Sequence, residues 1–161
     1  MAVVGEISAN PGSGGFYGRF RIKLDAKGRL TLPALYRRSL GADDSDEAGL
    51  VLRQGNEGFV QVVPAPVFDE LVRSGATGGS GKGADHQWQK RMQLSSVDHA
   101  SLDPKGRFTV PAPFLERNGI GREVLVLGVG RLMEIWNPDT FFALEKQKEM
   151  DAAAVDDLLY D

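Results

Sequence analysis

The sequence predicts an α+β fold, rich in β-strand, built from two equivalent units with flanking short helices. Three observations predict it. An eleven-residue pattern occurs twice, as Leu24-Asp-Ala-Lys-Gly-Arg-Leu-Thr-Leu-Pro-Ala34 and Leu102-Asp-Pro-Lys-Gly-Arg-Phe-Thr-Val-Pro-Ala112, 78 positions apart with eight of eleven residues identical. Around the copies, apolar and polar residues alternate with period 2, the signature of half-buried strands. The segments Val60-Gln-Val-Val63 and Met133-Glu-Ile-Trp136 are each followed by proline and a helical stretch, so the repeat extends well beyond the charged pattern. Such duplication decides the fold reading, and 161 residues suit two small modules sharing one core.

Residues 1–15 end in Asn10-Pro-Gly-Ser-Gly-Gly15 and read as a flexible extension, because turn formers without apolar periodicity do not nucleate structure. A first module spans 17–66, with its helix reaching about residue 74. In it Phe20, Ile22 and Leu24 point inward while Arg19, Arg21 and Lys23 point outward. Lys27-Gly28 turns the chain into Arg29–Leu32, so this stretch reads as a hairpin. Pro33 opens a short helical turn through Tyr36, closed at Gly41. Leu50–Leu52 and Phe59–Val63 make a second hairpin around Gly55-Asn-Glu-Gly58, and a helix runs Val67–Arg73.

Residues 75–84 have the glycine-rich composition of a linker. A helix follows from His86 to about Leu94, with Trp88 and Met92 on one face. The second module, 97–140 with a helix to about 150, repeats the order. Leu102–Val110 reads as a hairpin, Pro111–Asn118 as a short helix, and Val124–Leu127 with Leu132–Trp136 as another hairpin. Asn137-Pro138-Asp139 then supplies an N-cap, an N1 proline and a first-turn acid. Trp136, Phe141 and Phe142 read as core or interface aromatics, core being the simpler reading. Residues 151–161 form an acidic tail.

Composition narrows the function. No apolar run approaches 18 residues, so no membrane partner is predicted. The N-terminus lacks a basic start and a long apolar stretch, unlike a secretory signal. With no cysteine there is no disulfide, thiolate or Cys-type zinc chemistry. His86 and His99 lack metal-ligand spacing, the acids at 43–47 fail the EF-hand pattern, and no nucleophile–base or phosphate-loop motif occurs. The expectation is a cytoplasmic protein that is not an enzyme, with no cofactor, metal or small-molecule substrate. The net charge of −3 hides an uneven distribution: Phe16–Gly41 holds seven basic residues against the single acid Asp25. Local density is what a partner meets, because distant charges are screened.

The repeated Asp-x-x-x-Arg has two readings. In one, Asp25 pairs with Arg29, and Asp103 with Arg107, simply to stiffen a turn. In the other, Asp25, Gly28, Asp103 and Gly106 shape the loops while Lys27, Arg29, Lys105 and Arg107 face an anionic ligand. Duplication favours the second, since two such tips can track phosphates along a duplex. Arginine can also read guanine in the major groove. Arg19, Arg21 and Lys23 would then add phosphate contacts. The first motif region is the more basic, so the first tip is expected to carry more of the affinity.

Leu-Asp-x-x-Gly-Arg followed by alternating apolars and proline resembles the SpoVT-AbrB module, a swapped-hairpin β fold that binds DNA. Two such modules, with Phe16-Tyr-Gly18 just before the first, resemble the MraZ family of bacterial transcriptional regulators over roughly Phe16 to Met150. The resemblance implies a double-split β-barrel formed by both halves, a ring-like homo-oligomer, and binding to promoter repeats of the division and cell-wall gene cluster. It would place the protein in the cytoplasm, associated with the nucleoid. Its Asp-x-x-x-Arg motif maps onto Asp25 and Arg29, and onto Asp103 and Arg107. The chain departs from the family pattern in its longer extension and in its glycine-rich stretch at Gly75–Gly83. A rival reading is an oligomeric interaction module whose hairpins bind an acidic protein without touching DNA.

Overall fold

The computed structural model describes residues 15–41, 49–75 and 83–149. Outside them lie the rest of the extension, the acidic loop at 43–47, most of the predicted linker and the acidic tail. The described chain runs β1 (Phe16–Lys23), β2 (Arg29–Thr31), α1 (Ala34–Ser39), β3 (Gly49–Gln54), β4 (Val60–Pro64), α2 (Ala65–Arg73) and α3 (Ala84–Ser95). It continues with β5 (Asp98–Ser101), β6 (Arg107–Thr109), α4 (Ala112–Arg117), β7 (Glu123–Gly130), β8 (Met133–Trp136) and α5 (Pro138–Gln147).

Helix starts follow the proline signals. Pro33, Pro64 and Pro111 each hold φ between −53° and −59° at the residue before a helix. Their fixed φ suits helix entry, and no backbone donor is lost there. Asn137 caps α5 by accepting the Asp139 backbone N–H at 2.9 Å. The helix α3 buries no residue; Trp88 and Met92 face solvent, with Arg91 5.7 Å above the Trp88 ring.

The hairpins β3–β4 and β7–β8 form as the alternation predicts. The two predicted motif hairpins do not. Backbone N–H of Asp25 donates to Arg29 O, and that of Asp103 to Arg107 O, closing each turn. Beyond that bond the arms separate. β1 pairs with β7 over eight residues, Phe16↔Gly130 to Lys23↔Glu123; β5 pairs with β3; and β2 pairs with β6. Each arm thus finds its ladder in the other half of the chain. The physical reason is burial: Leu24 and Leu102 turn into the core at the point of divergence, which carries the arms apart.

A six-stranded antiparallel sheet results, ordered β1-β7-β8-β4-β3-β5, with the β2–β6 ribbon as a separate two-stranded sheet. The order is unchanged when the halves are exchanged. Leu30↔Phe108 in the ribbon and Gln61↔Glu134 in β4–β8 each pair a residue with its own repeat equivalent. A pseudo-two-fold axis therefore passes through both ladders. This is the duplicated swapped-hairpin architecture, an α+β fold organised around the six-stranded sheet.

One core spans both modules, so their sequence boundaries do not enclose separate interiors. Leu30 and Phe108 from the ribbon meet Leu52, Val60, Val62, Val124, Val126, Met133 and Ile135 from the inner face of the sheet. Tyr36 closes one end with edge-on contacts to Phe16 and Phe20 at 5.4 and 5.1 Å. The outer face carries two satellite clusters. Phe59, Leu125, Leu127 and Trp136 lie under α5; Val51, Val63 and Phe68 lie with α2. Trp136 is thus core, stacked on Phe59 at 4.8 Å, and Phe141 and Phe142 pack partly buried against that cluster.

Glu134 sits on the outer face where its equivalent is Gln61. Burial pushes its carboxyl above the ordinary value, the Trp136 indole N–H opposes that shift, and neighbouring Glu57 adds to it. A carboxyl raised in the folded state favours folding at low pH and opposes it as pH rises through the folded value. Glu134→Gln keeps an acceptor for the indole and removes the charge. It should raise Tm at neutral pH, with the gain vanishing below about pH 4, the range where an ordinary glutamate protonates. Thermal melts across pH check this; equal gains at pH 3 and pH 7 would refute it.

Candidate nucleic-acid interface

Each motif turn is organised by its aspartate. Asp25 Oδ1 accepts the backbone N–H of Lys27 and of Arg29, both at 2.9 Å, and Oδ2 takes Arg29 Nε at 2.6 Å. Asp103 makes the same three bonds to Lys105 and Arg107 at 2.9, 2.9 and 2.8 Å. Gly28 and Gly106 complete the turns with φ of 76° and 78°, a region that L side chains rarely adopt. The motif spacing thus has a mechanical reading: a carboxylate reaches residues two and four ahead only if the chain doubles back, and positive φ lets it do so.

Both aspartate carboxyls are held below their ordinary range. The leading cause is the backbone N–H of the motif arginine, opposed by burial and reinforced by its side chain and the lysine N–H. An acid depressed in the folded state contributes above its unfolded value and loses that contribution as pH falls through the folded one. Loop order should therefore hold from pH 8 down to 5 and fail only below about pH 4. Asp25→Asn keeps an oxygen for the two N–H groups but loses the charged arginine bond. It should disturb the loop less than Asp25→Ala, which NMR chemical shifts of Lys27–Arg29 would register. Identical spectra for the two variants would contradict the role of Oδ1.

The structure brings the two tips into one surface. Arg29 is opposite Thr109 and Thr31 opposite Arg107 in the β2–β6 ladder. The arginines are thus diagonal neighbours, about 7–8 Å apart on one face. Leu32 N–H donates to Gly106 O and Val110 N–H to Gly28 O, at 2.9 and 3.0 Å, which places the loops at opposite ends of the ribbon. Those ends are four residue steps apart, about 13 Å. Lys27, Arg29, Arg107 and Lys105 thus form a cationic line with Thr31 and Thr109 between them. Both lysines and both threonines are exposed, and the arginines are half-buried. Nε binding to aspartate points each guanidinium while its terminal nitrogens take no bond among the described residues.

The row Arg19, Arg21 and Lys23 lies on the outer side of β1, as the alternation predicts, but two of its charges are engaged. Arg19 pairs with Glu145 and lies 5.0 Å from the Phe141 ring centre. Arg21 pairs with Glu123 at 2.7 Å and lies 5.3 Å from that of Phe142. Glu123 and Glu145 are over 100 positions away, so nothing local in the sequence signals these pairs. The alternation and the repeat did carry a further signal: Thr31 and Thr109, among the eight identical residues, belong to the ribbon's exposed face. His86 lies on α3 and His99 on β5. Among the described residues, no group of three or more histidine or acidic side chains could hold a metal ion, and no helix is long and apolar enough to cross a membrane.

Comparison with known proteins places the chain by its sequence. Residues 94–160 match the family model described as "MraZ protein, putative antitoxin-like". A protein of Nocardioides sp. named "Transcriptional regulator MraZ" is 40% identical over 124 residues, covering 76% of this chain and 81% of that one. Proteins of the same name from Bifidobacterium longum and Corynebacterium kroppenstedtii are 33% and 31% identical, covering 82% and 90% of this chain and 83% and 96% of theirs. The solution structure of PHS018 from Pyrococcus horikoshii covers 78% of this chain and 98% of its own at 15% identity. Its TM-score of 0.34 is too low to carry an argument. The relatives named here carry the name of regulators rather than of enzymes. By sequence similarity over most of its length, the chain belongs to the MraZ family.

Proposed function

We propose that the protein is a cytoplasmic, nucleoid-associated regulator of transcription that binds specific duplex DNA through the β2–β6 ribbon. One observation carries this reading: two aspartate-oriented arginines and two exposed lysines lie in line on a single two-stranded face. The major groove admits a two-stranded ribbon, where arginine can bond guanine O6 and N7 and threonine can meet either a polar edge or a thymine methyl. Lys27 and Lys105, at the ends, would hold phosphates and fix the register. Lys23, Arg19 and Arg21 are secondary contacts, because Glu145 and Glu123 already balance two of them.

The DNA is proposed to be promoter repeats of the division and cell-wall gene cluster, bound by a ring-like homo-oligomer. One ribbon offers few base contacts, and linking several on one assembly would raise avidity through effective concentration. The test is selection of duplexes from a random pool by the purified full chain, with native mass measurement and gel shifts of the enriched sequence. Two neutralised phosphates per ribbon would weaken binding about 10-fold for each ribbon engaged between 50 and 200 mM salt. An unenriched pool, or a salt-independent affinity, would refute the proposal.

A further inference from the structure

We propose that α3 of one copy of this chain seats in an acidic groove beside α5 of the next, joining the copies head to tail. The inference rests on the homo-oligomer in the reading above and names its contact. α3 buries none of its twelve residues, and a helix that short is marginal in water without tertiary packing. Its last turn is held, because Leu94 packs against the Val51, Val63 and Phe68 cluster. Trp88 and Met92, one turn apart on one face, are 57% and 46% exposed. Arg91 lies over the Trp88 ring and meets no carboxylate among the described residues. Aromatic residues, methionine and arginine are the types that protein interfaces enrich. The internal two-fold does not require this pair. At the offset that maps Arg29 onto Arg107, Asn10 and Gly14 correspond to Trp88 and Met92, so the first half carries no equivalent.

A matching groove lies on the other flank of the outer sheet face. Glu57 in the β3–β4 turn and Asp139, Thr140, Ala143, Leu144 and Gln147 along α5 line one cavity. Ala143 is exposed and Leu144 half-buried, which makes an apolar floor. Asp139 and Glu57 make an acidic rim. Glu57 already meets Lys148 at 3.5 Å, whereas the Asp139 carboxylate has no cation among the described residues. Seated antiparallel to α5, α3 lays Met92 and Trp88 on Ala143 and Leu144, brings Arg91 to Asp139 and turns Asp85 toward Lys148. Apolar ridge meets apolar floor, and each charge meets its opposite. α3 leads into β5, one edge strand of the sheet, while α5 reaches over the other, β1, where Glu145 pairs with Arg19. Surfaces toward opposite edges join separate copies rather than one copy to itself. Such a heterologous contact repeats from copy to copy and closes a ring when the rotation per step allows.

Native mass measurement of the full chain tests this, with circular dichroism to check that variants at these exposed positions stay folded. Trp88→Ala and Ala143→Arg should each shift the wild-type assembly toward single chains, raising the midpoint of dissociation about 30-fold, as for loss of an interface anchor. Mixed in equal amounts, the two variants should form a two-chain species and nothing larger, because each pair keeps one intact helix and one intact groove. Arg91→Glu and Asp139→Lys should each weaken assembly, and the chain carrying both should recover it. Unchanged masses for Trp88→Ala and Ala143→Arg, no two-chain species on mixing, or no recovery on charge exchange would overturn the inference. Dissociation by Trp88→Ala but not Ala143→Arg would mark α3 pairing with another surface. Weaker DNA binding at unchanged mass would mark a nucleic-acid contact; both overturn the groove assignment. If the wild type assembles, such results overturn the α3 contact alone. A wild type that stays a single chain overturns the homo-oligomer reading and this inference with it.

Discussion

The double variant Arg29→Ala, Arg107→Ala should keep its fold and lose discrimination between its selected duplex and random DNA. Each bidentate arginine–guanine contact is worth about 1–3 kcal/mol of discrimination. Two such contacts correspond to about 30-fold to 10⁴-fold in relative affinity, since ~1.4 kcal/mol is tenfold. The side chains are about a quarter to a third exposed and leave the turns without vacating the core. Asp25 and Asp103 retain the backbone N–H groups they bind, so the loops stay closed. Lys27 and Lys105 remain, so weak sequence-independent binding persists at low salt. Arg19→Ala with Arg21→Ala gives the contrast. Those arginines already meet carboxylates, and their loss should cost little specificity. Competition gel shifts with specific and random duplex decide the matter. Undiminished preference in the first variant would remove the ribbon from the recognition surface.

Gly128→Ala should prevent stable folding. Its φ is not in the left-handed region, so backbone freedom is not what glycine supplies here. The reason is proximity: an added Cβ would stand 2.4 Å from Phe16 C and 2.5 Å from Tyr17 N. Those are backbone atoms of β1, which cannot yield as a flexible side chain would. Gly128 is opposite Gly18 in the β1–β7 ladder, and the buried Tyr36 hydroxyl donates to the Tyr17 and Gly18 carbonyls, each at 2.9 Å. Moving β1 to make room would disturb these bonds as well as the ladder. The cost should be on the order of 4 kcal/mol or more, a large part of a small domain's stability. Circular dichroism with a denaturant titration measures it. Gly121→Ala, where an added Cβ meets nothing within 4 Å, is the matched control. Similar midpoints for the two variants would show that β1 relaxes freely.

The elements that sequence reasoning placed correctly depend on neighbours within a few residues. Alternation gave the inward face of β1, turn signals gave the β3–β4 hairpin, and proline marked the entry to α1, α2 and α4. Asn137 capped α5 as its side chain dictates. Within the site, Asp25 and Asp103 shape their loops through residues two and four positions ahead, which is why the repeat alone pointed to them. Helix bounds differed modestly: α2 begins at Ala65 rather than Val67, and α5 ends at Gln147 within the described residues. Proline signals and periodicity do not specify how far the last turn frays.

What the sequence determined by itself was the existence of two like units, the turn chemistry of each tip and the alternation that buries one strand face. What only the tertiary structure decided was which strands pair. It also decided that the two arginines become diagonal neighbours and that Glu145 and Glu123 engage Arg19 and Arg21. A local turn is settled by dihedral preferences and hydrogen bonds a few residues long. The partner of β1, more than 100 positions downstream, is settled by which closure buries Leu30, Phe108 and the inner sheet face together.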